Sequence, residues 1–355
     1  MSTPTTKTSV RPAVKALRTA GGLSVRLHLR AVLTGVLLLV VALAAGVLLI
    51  GTGDFPMSFG DVLTTLGGGG NPGQELIVND LRLPRVLVAL LVGASFGLSG
   101  AVFQTVTRNP LGSPDVLGFA QGSSVGALLV IVYIQGSTVA IAMGAVAGGV
   151  VTGLAIFLLA WKRGVHGYRF VLVGIGAAAM LYAVVLYLMT KANIVEATRA
   201  TTWMTGSLSG RDWDQVWPLA AVCVILIPVI LLCARPLAML EMGDDSAAAL
   251  GVSTGRVRIL ALLAAVVLTA SATAAAGPIA FVALTAPQLA RRLTRTTGPN
   301  LLPAALMGSL LLVLADLASQ RVFGADQVPV GVVTGVLGGG YLLWLLANER
   351  KAGRV

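Results

Sequence analysis

"LRLPRVLVALLVGASFGLSGAVFQTVTRNPLGSPDVLGFAQGSSVGA", residues 81–127, joins two apolar runs through one short polar break. The first run, 83–106, is long enough to cross a hydrocarbon core about 30 Å thick. The residue before a proline leaves the helical region, so Asn109-Pro110 predicts the end of this helix. Pro114-Asp115 predicts the start of the next, whose glycines and serines at 118–126 favour close packing between helices. The stretch therefore predicts two membrane helices joined by a tight corner.

Apolar runs of this kind recur along the whole chain. Its 355 residues are 56% hydrophobic and 11% charged, with a mean hydropathy of +0.89, whereas a soluble domain carries about 25% charged residues. We therefore predict an all-α polytopic membrane protein with a single transmembrane domain over residues 31–350. The ten predicted spans are 31–51, 83–106, 115–134, 138–160, 170–190, 215–233, 257–276, 279–293, 301–320 and 330–347.

The basic residues indicate the orientation of these spans. With the N-terminus inside, nineteen Lys and Arg fall in cytoplasmic segments and six fall outside, as the positive-inside rule requires. This predicts a basic cytoplasmic arm over 1–30, a cytoplasmic tail over 351–355 and both termini in the cytoplasm. The net charge of +11 then reflects attraction to the membrane surface and does not indicate a nucleic-acid partner.

Chemical motifs are scarce. The tetrapeptide GLSG at 97–100 matches a pattern of intramembrane serine proteases, but His28 and His166 both fall in predicted cytoplasmic segments, too far away to act as the base. No H-E-x-x-H, cysteine cluster or G-x-x-x-x-G-K-[ST] occurs. Cys223 and Cys233 would lie about 15 Å apart on one helix, which excludes a mutual disulfide. The sequence predicts no catalytic site, cofactor or metal.

Transport remains, and its energy source is open at this point. Secondary transporters keep ionisable residues inside the membrane, and only Asp316, late in the ninth span, qualifies here. That carboxylate could instead be structural. Spans two to five and seven to ten form two blocks of four whose first helices point in opposite directions, an arrangement typical of alternating-access transporters.

Two arginines break the orientation rule. Arg82 and Arg85 flank Pro84 at the outer start of the second span, where a cation also opposes the helix dipole. Three residues apart, they project from one face. They are either interfacial arginines, neutralised locally by Glu75 or Asp80, or a docking site for acidic groups of an external partner.

One predicted cytoplasmic segment suits a soluble partner. In EMGDDSAAALGVSTGRVR, residues 241–258, Asp244 or Asp245 can cap a short helix that Gly251 ends. The helix would lie between the sixth and seventh spans, within a cytoplasmic loop at 235–256. It is either an ordinary amphipathic loop or a peg that fits a groove on a separate ATPase.

Residues 81–127 strongly resemble the membrane subunits of FecCD/BtuC-type ABC importers, which take up iron–siderophores, haem or vitamin B12. The segments GDDSAAALGV (243–252), GPIAFVALTAPQLAR (277–291) and PVGVVTGVLGGGYLLWLL (329–346) resemble further signatures of that family. The resemblance covers about residues 31–350. It implies a BtuC-like permease fold of ten helices in the cytoplasmic membrane of a bacterium, and a ferric siderophore as the expected substrate.

The resemblance also implies partners and roles for particular residues. The partners are a second permease subunit (the same chain or a paralogue), two cytoplasmic ATP-binding subunits and an external substrate-binding protein. Arg82 and Arg85 match the family's docking arginines, while Gln320 occupies the place of a third, with Arg321 one position later. The residues that match the ATPase-coupling loop are Asp244, Asp245, Ala248, Leu250 and Gly251.

Overall fold

The computed structural model describes residues 14–18, 24–53, 55–161, 167–322 and 328–351. These residues form fifteen α-helices and one short β-hairpin. Most of the predicted basic arm (1–30) and of the predicted cytoplasmic tail (351–355) therefore lies outside the described residues. The helices are α1 Leu29–Ile50, α2 Phe59–Leu66, α3 Pro72–Glu75, α4 Leu83–Thr107, α5 Phe119–Leu129, α6 Thr138–Ala160, α7 Gly167–Lys191, α8 Ile194–Met204, α9 Trp213–Leu232, α10 Ala234–Leu240, α11 Asp244–Ala249, α12 Thr254–Ala276, α13 Val282–Thr294, α14 Leu301–Arg321 and α15 Val330–Lys351.

Two elements fall outside this α-helical pattern. The hairpin lies in the predicted basic arm, where β1 (Val14–Arg18) pairs antiparallel with β2 (Ser24–His28) and the chain runs directly into α1. Short π-helical segments, Leu76–Arg82 and Val130–Ile134, precede α4 and extend α5. The rest of the described chain follows the all-α prediction.

Each of the ten predicted apolar runs coincides with a helix. Within the described ranges, seven helices are long and apolar enough to cross a membrane. Two shorter apolar helices, Phe119–Ile134 and Val330–Trp344, match the third and tenth runs. The predicted span 279–293 becomes α13, whose thirteen residues extend only about 20 Å at 1.5 Å per residue. By length, α13 covers only part of a bilayer.

The corner that follows α4 differs from its prediction at one end. Helix α4 ends at Thr107, two residues before Asn109, with Arg108 in the left-handed region at φ 50°. The next helix begins only at Phe119 rather than at Pro114-Asp115, because Gly118 adopts φ 89° immediately before it. The carboxylate of Asp115 instead accepts the backbone N–H of Phe281 at 3.2 Å. The non-helical entries to α5 and α13 therefore meet, and each predicted four-helix block has a shortened second helix.

Helix α4 lies at the centre of the fold and packs against α14, α12, α13 and α9. Its glycines face backbone directly: a Cβ at Gly93, Gly97 or Gly100 would collide with the main chain of α14 or α13. Small residues let membrane helices approach this closely. The small residues at 93–100 thus serve close packing between helices. The predicted absence of a disulfide also agrees with the structure, in which Cys223 and Cys233 are both buried and free.

Candidate docking and coupling sites at the two ends of α4

The predicted docking arginines gather at the N-terminal end of α4, near the loop that follows α1. Arg82 donates to the backbone carbonyl oxygens of Ile50 at 2.7 Å and Phe55 at 2.9 Å. Arg321, at the end of α14, donates to the hydroxyl of Thr52 in the same loop at 2.9 and 3.2 Å. Two of the three predicted residues therefore hold one loop from two different helices.

Arg85 has a different partner. Its Nε and Nη2 donate to the two carboxylate oxygens of Asp316 on α14 at 2.9 and 2.7 Å, a bidentate ion pair. Gln320 adds a third bond to that carboxylate at 3.2 Å. The side chain of Asp316 is 1% exposed and that of Arg85 17% exposed. The negative charge that compensates Arg85 therefore comes from Asp316 and not from Glu75 or Asp80. The lone carboxylate of the ninth span is in turn paired with a cation.

The outer cluster is therefore Arg82, Arg85, Asp316 and Arg321 together with Thr52, on the side that the sequence predicts to be external. Arg321 has the most exposed position of the three arginines, while the guanidinium of Arg85 is occupied inside the fold. A partner approaching this end would meet Arg321 before it met Arg85.

At the opposite end of α4, the predicted coupling segment forms the short helix α11. Gly243 precedes it at φ 116° and Gly251 follows it at φ 82°, backbone conformations that favour glycine. Gly251 therefore ends the helix as predicted. Asp244 and Asp245, however, lie in the first turn, and the helix has no side-chain cap. The capping prediction is wrong because the Asp244 carboxylate is used elsewhere.

That carboxylate binds two arginines. Arg258, near the start of α12, donates to its two oxygens at 2.8 and 2.5 Å, and Arg108, at the end of α4, donates to one of the same oxygens. Arg108 also donates to the backbone oxygen of Leu240 at 3.0 Å. The hydrogen bonds from Arg258 are the main reason that the pKa of Asp244 lies below its usual value, so the group is ionised at neutral pH.

A second ion pair lies beside the first. Arg291 of α13 contacts the carboxylate of Glu241 at 3.3 Å, and the hydroxyl of Thr105 on α4 donates to the same oxygen at 3.3 Å. The inner cluster is therefore Arg108, Glu241, Asp244, Arg258 and Arg291. Of these, only Asp244 has a role predicted from the sequence. The available signal was charge located at the predicted cytoplasmic ends of three spans.

The coupling segment exposes large apolar side chains. Leu250 is 60% exposed and Met242 is 69% exposed, while Ala247 between them is fully buried against the protein. Asp245 and Ala248 are also exposed. Ala247 and Asp244 thus hold the helix in place, and Leu250 points outward. A helix that inserts into a groove on a soluble partner requires this arrangement.

Comparisons with known proteins identify a family for this chain. Residues 31–348 match the model of the FecCD transport family. The chain is 45% identical over 322 residues to the ferric enterobactin transport system permease protein FepG of Escherichia coli (strain K12), covering 91% of this chain and 98% of that protein. It is 39% identical over 288 residues to the iron(3+)-hydroxamate import system permease protein FhuG of Bacillus subtilis (strain 168), covering 79% and 86%.

The fold also resembles a solved structure. An inward-facing metal-chelate type ABC transporter aligns with a TM-score of 0.78 at 24% identity, over 89% of this chain and 99% of that chain. At that identity the likeness shows the fold alone, and it agrees with a multi-span permease. The long apolar helices agree with a place in the cell membrane. With nearly its whole transmembrane domain matched and with full-length permeases as relatives, the chain belongs to the FecCD transport family.

Proposed function

We propose that this chain is the permease subunit of an ATP-binding-cassette importer that carries a ferric siderophore across the cytoplasmic membrane. The observation that carries the proposal is the near full-length match to permeases named for Fe³⁺ chelates: ferric enterobactin, iron(3+)-hydroxamate and Fe(3+)-citrate. The substrates in these names differ in the chelator but share the ferric ion. The alternatives within the family, vitamin B12 and haem, have no such support here.

The energy would come from partner subunits. We infer that the chain itself takes no covalent step and that nucleotide is bound by two cytoplasmic ATPases. The exposed Leu250 and Met242 on a segment held by buried contacts support this, since a rigid apolar projection fits a groove. Asp316 does not support ion coupling, because Arg85 neutralises it by a bidentate pair.

The remaining partners follow from the same assembly. A second permease subunit, either a copy of this chain or a paralogue, would complete the transport path. Helix α7 is the least buried of the candidate spans, because only 17% of its most apolar stretch is buried inside the protein. This leaves a large face for a neighbour. An external substrate-binding protein would dock on the outer cluster, where Arg321 and Arg82 are the proposed first contacts and Arg85 the third.

Proteoliposomes test the energy source directly. Reconstituted with its ATPases, the second subunit and the loaded binding protein, the chain should take up ferric siderophore only when ATP is present. Uptake by the chain alone, driven by a proton or sodium gradient, would show an ion-coupled secondary transporter instead. Ferric siderophore, haem and cobalamin, each presented on its own binding protein, distinguish the substrates.

A further inference from the structure

The ion pairs of Asp244 with Arg258 and Arg108, here called the inner tie, are not explained by the coupling function itself. Asp244 belongs to the helix expected to meet the ATPase, yet its carboxylate faces the protein and is held there by Arg258 and Arg108. The side chain of Arg258 is 8% exposed, so one partner lies within the fold. Asp245, the next residue, is exposed. Of these two adjacent acids, Asp244 is held by two arginines, whereas Asp245 points to solvent.

The two arginines come from helices with a particular relationship. Arg108 caps the end of α4 and Arg258 lies in the second turn of α12, and these are the first helices of the two predicted four-helix blocks. Arg108 reaches further, to the carbonyl oxygen of Leu240 on α10. One carboxylate therefore joins the coupling helix to both blocks, whose first helices α4 and α12 also pack against one another.

We propose that Asp244 is a positioning residue that locks α11 to α4 and α12, so that a displacement of α11 moves both blocks together. The proposal rests on the proposed function, since it assumes that an ATPase displaces α11. The ATPase would be met by Leu250 and its exposed neighbours, and Asp244 would transmit the displacement inward.

Physical chemistry favours this use of a carboxylate. A helix of six residues is too short to be stable alone, so it moves as a rigid body only if other elements hold it. Arginine–carboxylate pairs are charge-assisted and, when bidentate, directional, so they fix orientation as well as distance. Every charged group facing Asp244 in the described contacts is one of these two arginines, while the neighbouring Glu241 has its own partner, Arg291.

The test measures transport per ATP in the reconstituted importer, comparing Asp244→Asn with Arg256→Gln. Each variant removes one charge at the predicted cytoplasmic end, but Arg256 is exposed and makes none of the contacts to Asp244. We expect Asp244→Asn to keep ATP hydrolysis but to lower siderophore uptake per ATP roughly tenfold, within the ~5–150-fold range typical of coupling between sites. Arg256→Gln should match the unmodified protein. Equal coupling in the two variants would overturn the proposal.

The arginines supply a second, independent arm. Arg258→Gln should uncouple like Asp244→Asn, while Arg256→Gln, on an exposed neighbour, should not. Combining Asp244→Asn with Arg258→Gln should cost less than the sum of the two single losses, because both changes break the same contact; fully additive losses would count against the tie. If Asp244→Asn assembles poorly, uptake per ATP is measured for Arg108→Gln, which leaves the Arg258 bonds in place. This variant should also lower uptake per ATP. A failure of the unmodified importer to use ATP would refute the proposed function instead.

Discussion

Helix α4 has an Arg–Asp cluster at each end, and the two clusters are built differently. At the outer end Asp316 is 1% exposed and forms its ion pair with one arginine of the neighbouring helix α4. At the inner end Asp244 is 44% exposed and is shared between two arginines on different helices. The buried one-to-one pair is costly to break, whereas the partly exposed carboxylate at the inner end holds one short helix to two others through directional contacts. The comparison suggests a fixed outer end and an inner end suited to transmitting motion.

The largest expected effect is at the buried outer pair. Replacing Asp316 with Asn should destabilise the protein by about 3–5 kcal/mol, because it leaves the Arg85 guanidinium without its counter-charge inside the fold. The measurement is the amount of folded protein in membranes and its thermal unfolding in detergent. Asp80→Asn, at an exposed acid near the same end of α4, is the matched control and should have little effect.

An apolar replacement sharpens this test. The double change Asp316→Leu/Arg85→Met removes both charges, and such replacements of buried pairs are often neutral. Restored stability with retained transport would identify the pair as an anchor. Restored stability with lost binding-protein response would show instead that Arg85 docks, as the family resemblance implies.

The next effect is at the exposed apolar end of the coupling helix. Changing Leu250 to Asp places a charge where the ATPase groove is expected, so ATP hydrolysis should lose its link to transport or the complex should not assemble. Co-purification with the ATPase and uptake per ATP are the readouts. Leu250→Met, which keeps an apolar side chain of similar size, should be nearly normal. Normal transport by Leu250→Asp would remove this helix from the mechanism.

A smaller effect is expected from the exposed outer arginine. Arg321→Glu should raise the concentration of binding protein needed for half-maximal ATP hydrolysis, by a few-fold, since an exposed ion pair contributes about 0–1 kcal/mol. Adding Arg82→Glu should deepen the loss and flatten the dependence on ionic strength. Lys191→Glu, another exposed cation on the predicted outer side, is the control. If Lys191→Glu weakens docking as much, general surface charge rather than this cluster is responsible.

The smallest effect concerns pH. The pKa of Asp244 is lowered in the folded protein, so its contribution to stability is fully present above its ordinary value of 3.8 and is lost as the pH falls through the lower folded value. Between pH 8 and 5 the inner tie should therefore be unaffected. Unfolding of the purified protein below about pH 4 should be steeper than for Asp244→Asn. An equal slope would show that this carboxylate is not stabilised by its arginines.

Much of the fold was predictable because a membrane span requires a long run of apolar residues. All ten predicted runs coincide with helices. The starts of α5 and α13 were not, since Gly118 and Phe281 adopt positive φ and delay each helix by about three to four residues. Backbone conformation of that kind leaves no hydropathy signal. The small-residue face of α4 was predictable from composition, because only small side chains permit close approach.

The candidate sites were predictable in their residues but not in their contacts. Arg82 and Arg85 stood out because they break the orientation rule, and Asp316 because it is a carboxylate inside a span. That Arg85 and Asp316 neutralise each other is a contact between residues 231 positions apart, which periodicity cannot show. The arginines that hold Asp244 were likewise hidden, because cytoplasmic arginines are expected at every span end.

The difference between the two ends of α4 can be measured in one experiment. ATP hydrolysis and siderophore uptake are recorded together against the concentration of loaded binding protein, for the unmodified importer, Arg82→Glu/Arg321→Glu and Asp244→Asn. We predict that the outer variant needs more binding protein but keeps its uptake per ATP, while the inner variant keeps its half-saturating concentration and loses uptake per ATP. Lost uptake per ATP in the outer variant, or a raised half-saturating concentration in the inner one, would contradict the division of recognition and coupling between the two ends.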